Sequence, residues 1–413
     1  MTAREVQRDE RDDPLVAFVG SVVPDEPRFR TNAYSPAGNG SQTHLIRALA
    51  AIGVPIDAVV SFVPVPAYPR DRHWYKRGAV ESVAGIQTRL LPFVNVVPLK
   101  FLHLGLGMLW TLVCWSWRNR QRRRIMHLYN VSRPPGVFAY AAARLTGAAV
   151  TASLYDVGVP GVNEANGIWQ RLTFWQTRWL VPRLDGRVVI TPRIAEDFGR
   201  GQPCLVVDGG VSEEWIARFD DLPRARPAGA CTFLLAGSLW EGNGIRLVLD
   251  AFAMLKEPDV ALLVAGRGEL DEVVEHAAAR DKRIRRLGFL DTAGMEAAYR
   301  EADVLLSIRL TKTLPTPYHF PSKLIESLAT GRAVISTAAA HIASEYGSYC
   351  LLLDREEAPA LAEVMRSAAR MDPGQRAALG ARARAYVRAE KTWPVQARRI
   401  AAYLATASGM GRS

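Results

Sequence analysis

The residue types best suited to chemistry gather in one stretch, Pro321-Ser322-Lys323-Leu324-Ile325-Glu326. Leu324, Ile325 and Leu328 recur at helical spacing, and Pro321 stands where a first helical turn tolerates proline. Gly331 then serves as a C-terminal cap, and Ala333–Ile335 reads as a buried strand. A loop, helix and strand in this order leave the backbone N–H groups of the residues just after Pro321, up to 324, pointing out of the helix start, a place that attracts anions. Lys323 adds a positive charge there, and Glu326, one turn in, could accept hydrogen bonds from a ribose.

Other candidates lie where glycines punctuate the chain. Gly38-Asn39-Gly40-Ser41-Gln42-Thr43-His44 reads as a glycine-rich turn before a helix, Leu45–Ile52. Such a turn lets backbone N–H groups approach a phosphate or sugar closely, and it equally suits a plain tight turn. Asp156 closes the strand Ala149–Tyr155. It can orient a ligand at the carboxyl end of a sheet or cap a helix.

The elements that must position these residues alternate. Strands are expected at 15–19, 56–63, 86–93, 125–130, 149–155, 187–190 and 204–207, with helices between several of them. A second alternation starts at Thr232, with strands at 233–236, 260–265, 284–289, 304–308 and 333–335 and one near 350–353. Helices are expected at 358–370, 373–390 and 393–404. This pattern argues for parallel sheets covered by helices on both faces. The Pro/Arg-rich segment 222–230, after Asp208-Gly209-Gly210-Val211, marks a boundary. Four parts follow: a mobile tail (1–13), an N-terminal domain (14–205), a C-terminal domain (206–390), and a final helix (391–413) packing back on the N-terminal domain.

Composition narrows the class. Hydrophobic residues make up 49% and charged residues 23%, enough apolar content for ordinary cores. The four cysteines are scattered, which argues against a zinc site or disulfide framework and for a reducing compartment. The start of the chain is charged and lacks the apolar run of a signal peptide. The net charge of +11 suggests an anionic partner. Leu104–Trp117 is a clean apolar run carrying Trp110, Trp115 and Trp117, and Arg118–Arg124 follows with five arginines. It suits either a core helix or peripheral contact with an anionic membrane through Leu104–Arg124. Basic residues beside an apolar helix do not form a nucleic-acid motif, so no nucleic-acid partner is expected.

The order of motifs over residues 14–405 resembles the retaining glycosyltransferases of family 4, with the GT-B fold. The carriers are Gly38–His44, Val206–Val211, Leu235-Ala236-Gly237-Ser238-Leu239 with Gly244-Ile245, Ala265-Gly266-Arg267-Gly268, Leu287–Leu290, Ala302–Leu306 and Pro321–Ile335. The resemblance implies two Rossmann-like doubly wound domains facing a central cleft. It also implies transfer of a sugar from a nucleoside-diphosphate sugar, with anomeric retention, to a glycan or lipid-linked acceptor. Donor contacts then fall on Gly38, Gly40, Gly237, Ser238, Asn243, Gly266, Arg267, Phe289, Leu290, Arg309, Ser322, Lys323, Leu324 and Glu326. Acceptor contacts fall on His44, Tyr155 and Asp156, and the catalytic residues are Lys323 and Asp156. No aspartate-based metal motif stands out, so neither metal nor other cofactor is expected. The protein is expected in the cytoplasm, peripheral at the inner face of the cell membrane.

Four positions depart from the family pattern, one of them Tyr155, where an N-domain histidine is usual. Tyr318 stands where the first of two paired glutamates is usual, as in a Pro-Ser-Lys subgroup, and Ser238 and Asn243 replace a diphosphate-binding Arg and Lys. Lys323, Arg267 and Arg309 are candidates to restore that charge. A sugar-nucleotide epimerase on the same fold, or a non-catalytic module, are the alternative readings.

Overall fold

The computed structural model describes residues 13–131, 135–157, 168–222, 230–313 and 316–410. The expected mobile tail, most of the Pro/Arg-rich boundary and the loop after Asp156 lie outside the described residues. Two compact units are present. The first holds the described residues up to Asp208 and those from Trp393 onward, and the second runs from Gly209 to Thr392.

In chain order the first unit contains β1 (Leu15–Val19), α1 (Pro36–Ala51), β2 (Ile56–Ser61), β3 (Tyr75–Lys76), β4 (Ala79–Val83), β5 (Ile86–Leu90) and β6 (Phe93–Val94). It continues with α2 (Leu99–Arg118), β7 (Arg124–Tyr129), α3 (Pro135–Thr146), β8 (Ala149–Leu154), α4 (Ile168–Leu180), β9 (Gly186–Val189), α5 (Pro192–Gly199) and β10 (Leu205–Val206). Its main sheet runs β10-β9-β8-β7-β1-β2-β5-β4, parallel throughout except for the β4–β5 hairpin. Strand order reverses at β1 and β7. Right-handed crossovers therefore put helices on both faces.

The second unit contains α6 (Glu213–Ala217), β11 (Cys231–Ala236), α7 (Ile245–Ala253), β12 (Val260–Ala265), α8 (Asp271–Arg280), β13 (Ile284–Gly288), α9 (Thr292–Glu301) and β14 (Val304–Ser307). Then come α10 (Ser322–Ala329), β15 (Ala333–Thr337), α11 (Ile342–Tyr346), β16 (Leu351–Leu353), α12 (Ala358–Arg370) and α13 (Pro373–Glu390). The sheet order β13-β12-β11-β14-β15-β16 is wholly parallel. Its reversal lies between β11 and β14, the position where doubly wound sheets present ligand groups at the carboxyl ends of their strands. α14 (Trp393–Met410) belongs to the first unit. Trp393, Ala397, Ile400 and Leu404 share one core there with Phe18, Leu45 and Leu49.

Three sequence expectations change. Gly38–His44 is not a turn: it forms the first turns of α1. Ser35 caps this helix by accepting from Gly38 N–H at 3.1 Å, and Pro36 supplies the first helical residue. The glycines' poor helix propensity is offset by tertiary bonds. Asn39 exchanges two hydrogen bonds with the Val23 backbone, and Gln42 accepts from Ser21 N–H. Second, β4 pairs with β5 through a turn at Ala84 and Gly85, both at positive φ, where only β5 was anticipated. Third, α2 begins at Leu99, ahead of the clean apolar run. One side of it packs on α3, closely enough at Gly105 that a Cβ would lie 2.1 Å from the Phe138 ring.

His127 lies fully buried in β7, its ring nitrogens 2.9 Å from Thr151 Oγ1 and 3.0 Å from Ser153 Oγ on β8. Burial lowers its pKa from the ordinary 6.5 to about 4. The unfolded chain takes up this proton first, so the stability it supports is complete above 6.5 and drains away as pH falls toward 4. At about pH 4.5 the loss from this group is expected to be on the order of 2–3 kcal/mol. Urea unfolding at neutral and acidic pH measures it, and the acid-dependent loss should shrink in His127→Asn.

Candidate functional site

In the second unit, the strand ends at the β11/β14 reversal form a cavity. Gly237, Ser238, Asn243, Arg309, Pro321 and Lys323 line it, with Tyr299 and Ser327 behind. The glycine turns that follow β11 and β12 lock together. Gly237 N–H donates to Ala265 O at 2.9 Å, and Leu239 N–H to Arg267 O at 3.0 Å. Gly266 has φ +142, and a Cβ on it would sit 1.7 Å from Gly237 O. Only glycine meets both conditions.

The loop after β11 carries no cation; its one charged residue, Glu241, pairs with Arg246 at 3.1 Å, and the loop is organised. Asn243 Nδ2 donates to Ser238 O at 2.6 Å, closing the loop on itself. The charge comes from the other side of the reversal. Arg309 follows β14, and its N–H donates to Thr337 Oγ1 at 3.0 Å. Lys323 rises from the first turn of α10 and donates to Ala236 O at 3.3 Å. It passes over Gly237, where a Cβ would lie 3.0 Å from Nζ. Burial lowers the Lys323 pKa; Glu326 opposes the shift and the Arg309 charge adds to it. Burial likewise depresses Arg309. Neither cation forms an ion pair among the described residues. Two cations held together, with Glu326 acting on Lys323 but ion-paired with neither among the described residues, make a place suited to an anion.

The start of α10 is anchored. Phe320 is buried and stacks on His341 with ring centroids 5.1 Å apart. Pro321 is the N-cap, and Leu324 N–H donates to Pro321 O at 2.8 Å. Leu324 is therefore not a free donor, and its side chain is fully buried in the core. The N–H groups of Ser322 and Lys323 remain as the open ones. Glu326 is half-buried; burial raises its pKa and Lys323 opposes that shift. Its carbonyl accepts from Trp215 Nε1 at 3.1 Å.

The remaining candidates lie apart from this cavity's lining. Arg267 stacks over Phe289, 4.8 Å from the ring centroid, and Phe289 is 70% exposed beside half-buried Leu290. They stand at the ends of β12 and β13, so they flank the cavity along the same edge. In the first unit, Gly38 N–H is used by its cap, whereas open space surrounds the Cα of Gly40. His44 stacks on Trp393 at 5.9 Å, in the packing of α1 against α14. Tyr155 stacks on Tyr129 at 5.1 Å, and its hydroxyl is buried without a hydrogen-bond partner among the described residues. Asp156 is exposed at the end of β8, its N–H bound by Asn130 Oδ1 at 3.0 Å. Tyr299 and Thr337 were not anticipated. Tyr299 has no sequence signal beyond its helical phase. Thr337, the last residue of β15, could have been read from its place at a strand's carboxyl end.

Residues 230–370 match the family model for group 1 glycosyl transferases. Over 142 residues the chain is 32% identical to a phosphatidyl-myo-inositol mannosyltransferase of Mycolicibacterium smegmatis, covering 33% of this chain and 35% of that protein. The Mycobacterium tuberculosis counterpart is 30% identical over 143 residues, with the same coverage. The match thus spans about a third of the length of these relatives. Solved structures align over almost the whole chain. Anabaena HepE in complex with UDP gives a TM-score of 0.65 at 14% identity, covering 95% of this chain and 99% of that one. Sucrose-phosphate synthase of Thermosynechococcus elongatus gives 0.66 at 17%, covering 96% and 100%. The chain has the GT-B fold. At such identities the structural likeness speaks to fold alone.

Two expectations follow for this site. Gly266→Ala combines a strained φ with a backbone collision and should cost on the order of 1–3 kcal/mol. Thermal melting checks it, with any nucleotide-induced stabilisation reduced in parallel. Anion binding should weaken on the alkaline side below the ordinary lysine range, because Lys323 loses its proton early. Titration of UDP affinity against pH tests this, and Lys323→Arg should move that limb to higher pH.

Proposed function

We propose that the protein is a glycosyltransferase that takes a sugar from a nucleoside-diphosphate sugar. The observation that carries this is the Lys323–Arg309 pair, neither member ion-paired among the described residues, beside the open N–H groups of α10. It lies within the stretch that matches group 1 glycosyl transferases. The diphosphate would sit against Lys323, Arg309 and the Ser322 and Lys323 N–H groups. Glu326 would accept from the ribose, and the exposed Phe289–Leu290 edge with Arg267 would meet the base.

The proposed reaction takes its retention of configuration from the family resemblance. The bond from the anomeric carbon to the diphosphate oxygen breaks while the acceptor oxygen bonds to that carbon. The acceptor proton passes to the departing phosphate, and the configuration is retained. Negative charge grows on the leaving phosphate, where fixed cations and N–H dipoles stabilise the transition state. Protein cations supply this charge, so the proposal includes donor binding without a metal.

The acceptor is assigned to the first unit, with Asp156 orienting it. A lipid-linked acceptor fits the exposed apolar side of α2 with the exposed Arg118 and Arg120, which would lie on an anionic leaflet within Leu104–Arg124. Arg122, Arg123 and Arg124 are instead half-buried and donate to Asp13 O, Ala405 O and Ser116 O. The mannosyltransferase relatives, named for a phosphoinositide lipid, support the same class.

A panel of UDP-, GDP- and dTDP-sugars, scored by protection against melting and by hydrolysis, identifies the donor. With that donor, Lys323→Ala should lose roughly a hundredfold or more in turnover, the effect of about 2–4 kcal/mol at the leaving group. Turnover near wild type would remove Lys323 from the site. Activity abolished by EDTA would overturn the metal-free reading.

A further inference from the structure

A second constellation lies at the other end of the first unit's strands. α2 runs antiparallel to β2 over the height of the sheet. Near its start Lys100 donates to Val65 O, beyond the end of β2, and near its end Trp115 Nε1 donates to Asp57 Oδ2 at the start of β2. Between the C-terminal half of α2 and strands β2, β4 and β5 is a groove of about 480 Å³. Val80, Gln87, Arg89, Trp110 and Arg118 line it, with Asp57 at its base. The residues assigned to donor and acceptor chemistry are elsewhere, near carboxyl ends of strands, on α1 or on α10.

The groove is cationic in a specific way. Its one carboxylate is occupied, since Asp57 Oδ2 accepts from Trp115 Nε1 at 2.7 Å and from Asn119 Nδ2 at 3.3 Å. Arg89 and Arg118 are exposed, and neither has an ion-pair or hydrogen-bond partner among the described residues. The helix dipole favours a cation in the last turn of α2, which accounts for Arg118 but not for Arg89 on β5. At the mouth, Trp110 is 72% exposed. It belongs to an apolar stripe at helical spacing, Leu99, Leu102, Leu106, Trp110 and Trp117, each about half exposed or more. An arginine pair beside a tryptophan and an apolar ridge matches an amphiphile with a phosphate at one end and hydrocarbon at the other.

We propose that this groove is a headgroup site for an anionic membrane lipid. The phosphate lies between Arg89 and Arg118, and the acyl chains lie along the stripe from Trp110 to Leu102. The proposal rests on the reading of α2 as a membrane face and adds a defined lipid site to it, separate from the acceptor.

The test is co-sedimentation of the full chain with phosphatidylcholine vesicles, with and without phosphatidylglycerol. Arg89→Glu is compared with Arg200→Glu, which makes the same charge change beside β10 at the opposite edge of the sheet. Wild type should favour the anionic vesicles by about tenfold or more. Arg89→Glu should lose most of that preference and Arg200→Glu little, while melting temperature and its shift with UDP stay unchanged in both. Excess soluble glycerol phosphate should not release the protein. Equal losses in both variants would mean bulk charge alone and would overturn the site. So would release by glycerol phosphate, absence of vesicle binding, or a dimer dispersed by Trp110→Ser. If vesicle binding depends on Arg89 while no nucleotide sugar is used, the transferase reading fails and this site stands. If transfer occurs and Arg89→Glu binds vesicles like wild type, only this site fails.

Discussion

Two positive charges held close together, neither ion-paired among the described residues, are the constraint on which the second unit turns. A folded protein gains nothing by placing Lys323 beside Arg309: burial works against the charge on both, and the Arg309 charge adds to the effect on Lys323 while Glu326 opposes it. The architecture nevertheless enforces it. The strand order brings the ends of β11 and β14 side by side, and a glycine at 237 clears the path of the lysine. Thr337 and the Phe320–His341 stack fix the two chain segments that carry the cations. An anion held between the two cations would offset that cost, and this is the basis of the proposed diphosphate site.

Ser238 and Asn243 place no cation in the loop after β11. Asn243 ties that loop to Ser238, and the interlocked Gly237 and Gly266 turns hold its base. The positive charge has its source across the reversal, on β14 and α10, rather than in the first loop.

Much of this was legible in the sequence, for identifiable reasons. Apolar runs such as Val260–Ala265 and helices with proline starts, Pro135–Thr146 and Pro373–Glu390, have boundaries set by local chemistry, and they appear at those residues. Lys323 and Arg309 could be nominated because glycine turns and strand ends mark where sheets present ligands. What was not legible depends on distant partners. Gly38–His44 looks like a turn until Asn39 and Gln42 find the backbone of residues 21–23. Leu324 looks available until its N–H closes on Pro321. The stacking of His44 on Trp393 joins residues from opposite ends of the chain, and no local pattern announces it.

The claim that the cation pair exists to hold a diphosphate is tested most directly by calorimetry of a nucleoside against its diphosphate, uridine against UDP and guanosine against GDP. Charge-assisted contacts to both phosphates should make one diphosphate bind at least about a hundredfold more tightly than its nucleoside. That difference should collapse when Lys323 and Arg309 are both replaced by alanine. A nucleoside that binds as well as its diphosphate, or a difference that survives the double replacement, would contradict the account.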